Sequence, residues 1–117
     1  MKSIVTHIGE MAFEFEEDKV LVFFGPKAPS ELRDVSIIHE GDFTQAQSLV
    51  VGHSLTIQDI SYEIVSVGTQ ALHNLQELGH ISVYFTHPPT DILPGSIYVK
   101  PHVMPSVTVG SSIKINE

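Results

Sequence analysis

Short apolar runs, separated by glycine, proline and acidic residues, occupy most of the sequence. Such runs are rich in β-branched and aromatic residues, which predicts β-strands. The predicted strands are 3–8, 19–24, 35–39, 54–58, 62–67, 81–86, 96–100, 107–109 and 112–115, with a hairpin turn at 59–61. Many short strands between turns predict a mainly β fold, a small β-barrel of mostly antiparallel strands.

One segment has the periodicity of a helix. The apolar residues that recur at helical spacing over about 69–78 are Ala71, Leu72, Leu75 and Leu78. Thr69 stands where an N-cap residue would, and Gly79 stands where a glycine commonly ends a helix. A shorter helical turn is predicted at about 29–34, with Ser30 as its cap. We therefore expect one clear helix packed across an end of the barrel.

The length of 117 residues corresponds to one domain, 1–117, and 42% hydrophobic residues suffice for one core. The first residues lack the pattern of a signal peptide, and no apolar stretch approaches the roughly 20 residues of a membrane span. The chain has no cysteine, which excludes disulfides, thiol nucleophiles and Cys-ligated zinc. We expect a cytoplasmic protein.

The charge balance is strongly acidic. Six basic and fourteen acidic residues give a formal net charge of −8, and no cluster of Lys and Arg occurs. Binding to nucleic acid or to anionic lipid needs several cations on one face, so both are disfavoured. A negative surface favours a protein partner with a basic patch, although it equally serves solubility alone.

Histidine is frequent, with seven in the chain. They are His7, His39, His53, His73, His80, His87 and His102. None stands two or four residues from another, so the spacings typical of metal ligands on a strand or helix are absent and no metal is predicted. The Gly-x-Ser-x-Gly motif of hydrolases and the phosphate-binding glycine-rich loop are also missing, and no cofactor is predicted.

Two histidines differ from the others in position. His39 ends an apolar run just before Gly41, and His80 follows Gly79 and leads into a predicted strand. At a strand end one ring nitrogen can be held by a hydrogen bond while the other acts as a nucleophile. A structural role for either histidine remains open on this pattern alone.

An ordered set of short motifs resembles one protein family. The blocks are Val67-Gly68, Ala71, Asn74-Leu75 and Glu77-Leu78-Gly79-His80, together with Ile8-Gly9, Phe24-Gly25, Ala28-Pro29, Leu32, Ile38-His39 and Leu93-Pro94-Gly95. Their order and spacing resemble the glucitol/sorbitol-specific IIA component of the bacterial phosphoenolpyruvate-dependent sugar phosphotransferase system (PTS). The resemblance covers nearly the whole chain.

The resemblance implies that one histidine accepts a phosphoryl group from the phosphocarrier protein HPr. That group then passes to the IIB domain of a sorbitol-type permease, which is the protein's one link to the membrane. The family's phosphorylated histidine follows a short apolar strand with Ile before it, which is Ile38-His39 here. Glu40, directly before Gly41, departs from the family pattern. We further hypothesise that His80 donates a hydrogen bond to the phosphoryl oxygens.

The acidic residues near His39 are expected to form a rim that meets a basic partner. They are Glu31, Asp34, Glu40 and Asp42. Two other interpretations compete with phosphoryl transfer. One is a non-catalytic small-molecule or regulatory binding module on the same barrel, and the other is a metal-dependent barrel enzyme, which the histidine spacing disfavours.

Overall fold

Eight strands close into a barrel in the computed structural model, which describes residues 1–116. The strands are β1 (Lys2–Ile8), β2 (Val20–Phe24), β3 (Ile37–Gly41), β4 (Ser54–Ile57), β5 (Ile60–Val67), β6 (Ile81–Tyr84), β7 (Ser96–Lys100) and β8 (Ser112–Ile115). The helices are α1 (Ser30–Arg33) and α2 (Ala71–Leu78), with two 3₁₀ turns, Glu16–Asp18 and Phe43–Gln45. No helix in the described part of the chain is both long and apolar enough to cross a membrane.

Around the barrel the strand order is β1-β3-β2-β6-β7-β5-β4-β8, and β8 pairs with β1 to close it. Most neighbouring strands are antiparallel, as the sequence predicts. Two pairs, β2–β3 and β6–β7, are parallel. Each parallel pair needs a connection that returns the chain to the same end of the barrel. The segment that contains α1 makes this return between β2 and β3.

Side chains alternate between the inside and the outside of the barrel wall. Phe23 and Ile37 are paired across β2 and β3 and belong to the main core. The next pair along, Phe24 and Ile38, packs on the other face of the wall, where it forms a separate small cluster with Ala28. This alternation decides on which face each candidate histidine lies.

Several predictions of the sequence are confirmed. The fold is a small, mainly β barrel with one clear helix, α2. Gly79 ends α2 in the left-handed conformation, with φ of 66°. The short helix α1 lies within the predicted turn at 29–34.

Three details of the prediction are wrong. Gln70, not Thr69, is the N-cap of α2, since the Gln70 carbonyl accepts the first helical hydrogen bond, from the amide of Asn74 at 3.0 Å. Ser30 is the first residue of α1, and Pro29 takes the cap position. The segment 107–109 is not a strand, because the amide and hydroxyl of Ser111 bond back to Thr108 and close a turn.

The C-terminal half of α2 lies against the 3₁₀ turn Phe43–Gln45. The Gln76 side chain donates to the carbonyl of Ala46 at 2.6 Å, and Leu78 accepts from the amide of Gly25 at 2.9 Å. These bonds fix the end of α2 beside the ends of β2 and β3. One end of the barrel is thereby covered by α2 and by the turn that follows β3.

Candidate active site

His39 lies on β3 with its ring inside the covered end of the barrel. It is two residues after Ile37, so its side chain points to the same face, and only 1% of the residue is exposed. The ring contacts two aromatic rings. Phe23 meets it edge-on with centroids 5.6 Å apart, and the tilted ring of Phe43 lies 4.8 Å away.

Both ring nitrogens of His39 have hydrogen-bond partners. Nδ1 lies 2.7 Å from the Ser3 hydroxyl, and Nε2 lies 2.7 Å from the carbonyl oxygen of Gly79. A carbonyl can only accept, so Nε2 must carry the ring proton, and Nδ1 accepts from the Ser3 hydroxyl. The imidazole is therefore fixed in orientation and in tautomer.

Burial also fixes the charge of His39. Desolvation lowers the pKa of His39 from 6.5 to about 4, and the hydrogen bond to the Gly79 carbonyl opposes this only in part. At neutral pH the ring is uncharged, which is the form in which imidazole is nucleophilic.

A cover of one aromatic ring and two glycines separates His39 from solvent. A Cβ on Gly79 would lie 2.5 Å from the Phe43 ring and 2.9 Å from the Cα of Gly25. A Cβ on Gly25 would lie 2.6 Å from the carbonyl oxygen of Leu78. Only glycine at both positions lets the Phe43 ring lie directly against the peptide that holds Nε2.

A cleft of about 300 Å³ opens on the outer side of this cover. Its lining residues are Pro26, Lys27, Glu40, Gly41, Phe43, Glu77 and Leu78. Leu78 is 46% exposed there, so an apolar floor is bordered by two carboxylates and one lysine. An apolar centre with a polar border is the layout of many protein–protein interfaces.

The four acidic residues predicted as a rim are all exposed but do not form one group. Glu40 lines the cleft. Asp42 directly precedes Phe43, and its carboxylate accepts from the amide of Thr44 at 3.1 Å. Asp34 lies towards the other end of β3, where its carbonyl accepts from Met11. Glu31, on α1, does not line the cleft either.

His80 lies on the outer face of the barrel wall. Its ring stacks on Phe24 with centroids 4.6 Å apart, and its Nδ1 lies 3.3 Å from the carbonyl oxygen of Phe23. Because a carbonyl can only accept, Nδ1 of His80 carries a proton in this contact. The rings of His39 and His80 contact opposite faces of β2, through Phe23 and Phe24. Gly79 connects the two histidines, because its carbonyl bonds His39 and it directly precedes His80 in the chain.

Sequence reasoning missed the partners of His39. Ser3 alternates with Val5 as an inward position of β1, so its hydroxyl could have been expected inside the barrel. Phe43 follows β3 in a 3₁₀ turn and carries no comparable signal in the sequence. Among residues 1–116, no three His, Asp or Glu side chains are grouped so that they could hold a metal ion.

Comparison with known proteins relates this chain to one described family over nearly its whole length. The family model of the PTS glucitol/sorbitol-specific IIA component matches residues 1–114. The glucitol/sorbitol-specific EIIA components of Escherichia coli K12 and Shigella flexneri are each 30% identical over 114 residues, covering 97% of this chain and 91% of theirs. The crystal structure of a PTS IIA component from Enterococcus faecalis V583 superposes with a TM-score of 0.94 at 31% identity, covering both chains fully.

The fold and these matches define a IIA component of a sugar phosphotransferase system. More particularly, the chain belongs to the glucitol/sorbitol-specific IIA family.

The lowered pKa of His39 predicts a pH-dependent stability. Between pH 4 and 6.5 the unfolded chain binds more protons than the folded one, so the free energy of unfolding falls as the pH drops through this window. Relative to His39→Gln, the wild-type protein should lose roughly 3 kcal/mol of stability between pH 7 and pH 4. Urea unfolding of both proteins across this range measures the difference, and parallel stability curves would contradict it.

The close contact at Gly79 predicts an unequal response of two glycines to alanine. Gly52 and Gly79 both have positive φ, 95° and 66°, but a Cβ on Gly52 would meet no atom of residues 1–116 within 4 Å. Gly52→Ala should cost about 1–2 kcal/mol for the backbone conformation alone. Gly79→Ala should cost a further 1–3 kcal/mol or so, because the Phe43 ring must move. Equal losses in urea unfolding would show that the cover is not tightly packed.

Proposed function

We propose that this chain accepts a phosphoryl group from phosphorylated HPr on His39 and passes it to the IIB domain of a glucitol/sorbitol-type permease. Phosphoryl transfer would take place in the cytoplasm, and the chain would contact the membrane only through the permease. The observation that supports the proposal is the state of His39. It is a neutral imidazole, fixed by two hydrogen bonds, at the position to which the family resemblance assigns the phosphoryl group.

Nε2 is the atom that we expect to receive the phosphoryl group. It bonds the Gly79 carbonyl, which belongs to the cover beneath the cleft, whereas Nδ1 is turned towards Ser3 inside the barrel. Only 1% of His39 is exposed, so a docked partner must displace the Gly79 peptide, the Phe43 ring or both before Nε2 can be reached. Docking and uncovering of the nucleophile are then coupled steps.

The transfer would need no metal or nucleotide on this chain. The ring first changes tautomer, losing the Nε2 proton to water and gaining a proton on Nδ1. The Nε2 lone pair then forms a bond to phosphorus while the P–N bond of the donor's phosphohistidine breaks, and that electron pair returns to the donor's ring. Transfer to the IIB domain repeats the exchange in the opposite sense. Two displacements replace one difficult transfer between the partners.

The cleft over the cover is the docking surface that we propose for both partners. Phe43 and Leu78 offer an apolar centre, and Glu40 and Glu77 border it. A partner with basic residues around its own phosphohistidine would be attracted to these carboxylates, in an interface that is small and transient. Glu31 and Asp34 lie outside the cleft, so we expect them to attract a basic partner only at longer range.

The role of His80 stays a prediction. The His80 ring stacks on Phe24, on the opposite side of β2 from the His39 ring. To bond a phosphoryl group on Nε2 of His39, the His80 ring would have to come to the inner side, which would require the Gly79 backbone to move. His80 is also the second candidate for the acceptor itself, because none of the residues 1–116 hydrogen-bonds its Nε2, whereas its Nδ1 is bonded to Phe23.

A non-catalytic binding module is the alternative function. One observation favours it, namely that a histidine with both nitrogens bonded and 1% exposure is also what a purely structural core residue would show. Phosphorylation of the chain separates the two functions directly.

The test is incubation with phosphoenolpyruvate, the general first enzyme of the system and HPr, followed by intact mass measurement. The variants are His39→Gln, His80→Gln and, as a matched control, His73→Gln, which alters an exposed histidine on α2. We expect one acid-labile phosphate on the wild-type protein, on His73→Gln and on His80→Gln, and none on folded His39→Gln. Far-ultraviolet circular dichroism establishes that each variant is folded.

Two outcomes would contradict the proposal, and a third bears only on the role of His80. Label on folded His39→Gln but not on His80→Gln would assign the acceptor to His80. No label on the wild-type protein would favour the binding module. Normal labelling but a markedly slower rate in His80→Gln would support a role for His80 in stabilising the transferring group.

The acidic border of the cleft predicts a salt-sensitive rate. Raising the ionic strength from about 0.05 M to about 0.5 M should reduce kcat/KM for phosphorylated HPr several-fold, because the charges become screened within a few ångströms. The double variant Glu40→Gln, Glu77→Gln should show a lower rate at low salt and a flatter response. The matched double variant Glu31→Gln, Asp34→Asn should change both less. A flat salt response of the wild-type protein would refute the electrostatic account.

A further inference from the structure

A serine occupies the core position opposite the nitrogen that we expect to be phosphorylated. Ser3 is 1% exposed, and its hydroxyl lies 2.7 Å from Nδ1 of His39. The two residues are brought together by the pairing of β1 with β3, in which Val5 is opposite His39 and Ser3 is opposite Gly41. Burying a hydroxyl is unfavourable unless it is hydrogen-bonded, so the Ser3–His39 contact is what makes this position tolerable.

The chemical property that matters is that a hydroxyl both donates and accepts. In the resting protein the Gly79 carbonyl forces the proton onto Nε2, so Ser3 must donate to Nδ1. Once a phosphoryl group occupies Nε2, the proton is on Nδ1, and that nitrogen becomes a donor. A hydroxyl can then rotate and accept, whereas a backbone carbonyl or amide at the same place would satisfy one state only.

We propose that Ser3 is a positioning residue whose hydroxyl bonds Nδ1 in both states, reversing from donor to acceptor when the phosphoryl group enters on Nε2. The inference rests on the proposed function and deepens it. The bond keeps the ring from rotating while the cover opens, and it stabilises the proton that the phosphorylated ring carries. The phosphorylated ring is more polar than the unphosphorylated ring, so the hydrogen bond to Ser3 is stronger in the phosphorylated protein.

The chain offers a matched control for Ser3. Ser36 directly precedes β3, is fully buried, and its hydroxyl has no hydrogen-bond partner among the described residues. Ser36→Ala therefore removes a buried hydroxyl near the other end of β3, where its carbonyl accepts from the amide of Gly9, without touching His39. Ser3→Thr keeps a hydroxyl at position 3, and Ser3→Ala removes it.

Two measurements follow on the folded proteins. The first is the equilibrium constant for phosphoryl exchange with HPr, obtained from intact masses at a fixed ratio of the two proteins. Ser3→Ala should lower it about tenfold or more, whereas Ser3→Thr and Ser36→Ala should stay within about threefold of wild type. The second is nitrogen NMR of the His39 ring in the unphosphorylated proteins. We expect the proton on Nε2 in the wild-type protein, and a shift of the Nδ1 signal in Ser3→Ala alone.

The outcomes distinguish this proposal from the proposed function. Equal exchange constants for Ser3→Ala, Ser36→Ala and wild type, with label on His39, would overturn the role of Ser3 and leave the proposed function standing. If the unphosphorylated wild-type protein carried its ring proton on Nδ1, Ser3 could not change from donor to acceptor, and this proposal would be overturned whichever histidine is labelled. Absence of label from His39 in the wild-type protein would overturn the proposed function, and the role of Ser3 with it.

Discussion

The structure of the site depends on keeping one imidazole neutral inside the barrel. Burial alone would leave two polar nitrogens without water, so each needs a partner, and Ser3 and Gly79 provide them. These bonds differ in kind, because the carbonyl of Gly79 accepts from Nε2 in one tautomer and the hydroxyl of Ser3 adapts to either. In our proposal the ring of His39 stays bonded to Ser3 at Nδ1 while the partner of Nε2 is exchanged for the phosphoryl group.

The fold serves this constraint through three elements that meet at one end of the barrel. β1 supplies the hydroxyl, β3 supplies the histidine, and the left-handed end of α2 directs the Gly79 carbonyl inward. The turn after β3 then lays Phe43 on the glycine that no other residue could replace without displacing the ring. The same cover that stabilises the neutral ring also shields it from solvent, so under our proposal a partner must open this cover to reach His39.

The sequence predicted local features well because they depend on near neighbours. Apolar spacing and Gly79 defined α2 to within two residues, and short β-branched runs predicted the barrel. Contacts between residues far apart in the chain could not be predicted from the sequence. Ser3 and His39 are 36 positions apart, and only strand pairing brings them together. The segment 107–109 has strand-like composition, but the turn closed by Ser111 overrides that preference.

The separation of His39 from His80 illustrates the same limit. Both stand within two residues of a glycine near a strand end, and both match the family, yet the His39 ring lies inside the barrel against Phe23 and the His80 ring lies outside against Phe24. The most direct test is a long-range proton–nitrogen NMR spectrum of the phosphorylated protein, which identifies the modified ring and nitrogen. Our account predicts phosphorus on Nε2 of His39 with a proton retained on Nδ1. Phosphorus on Nδ1, or on the ring of His80, would contradict it.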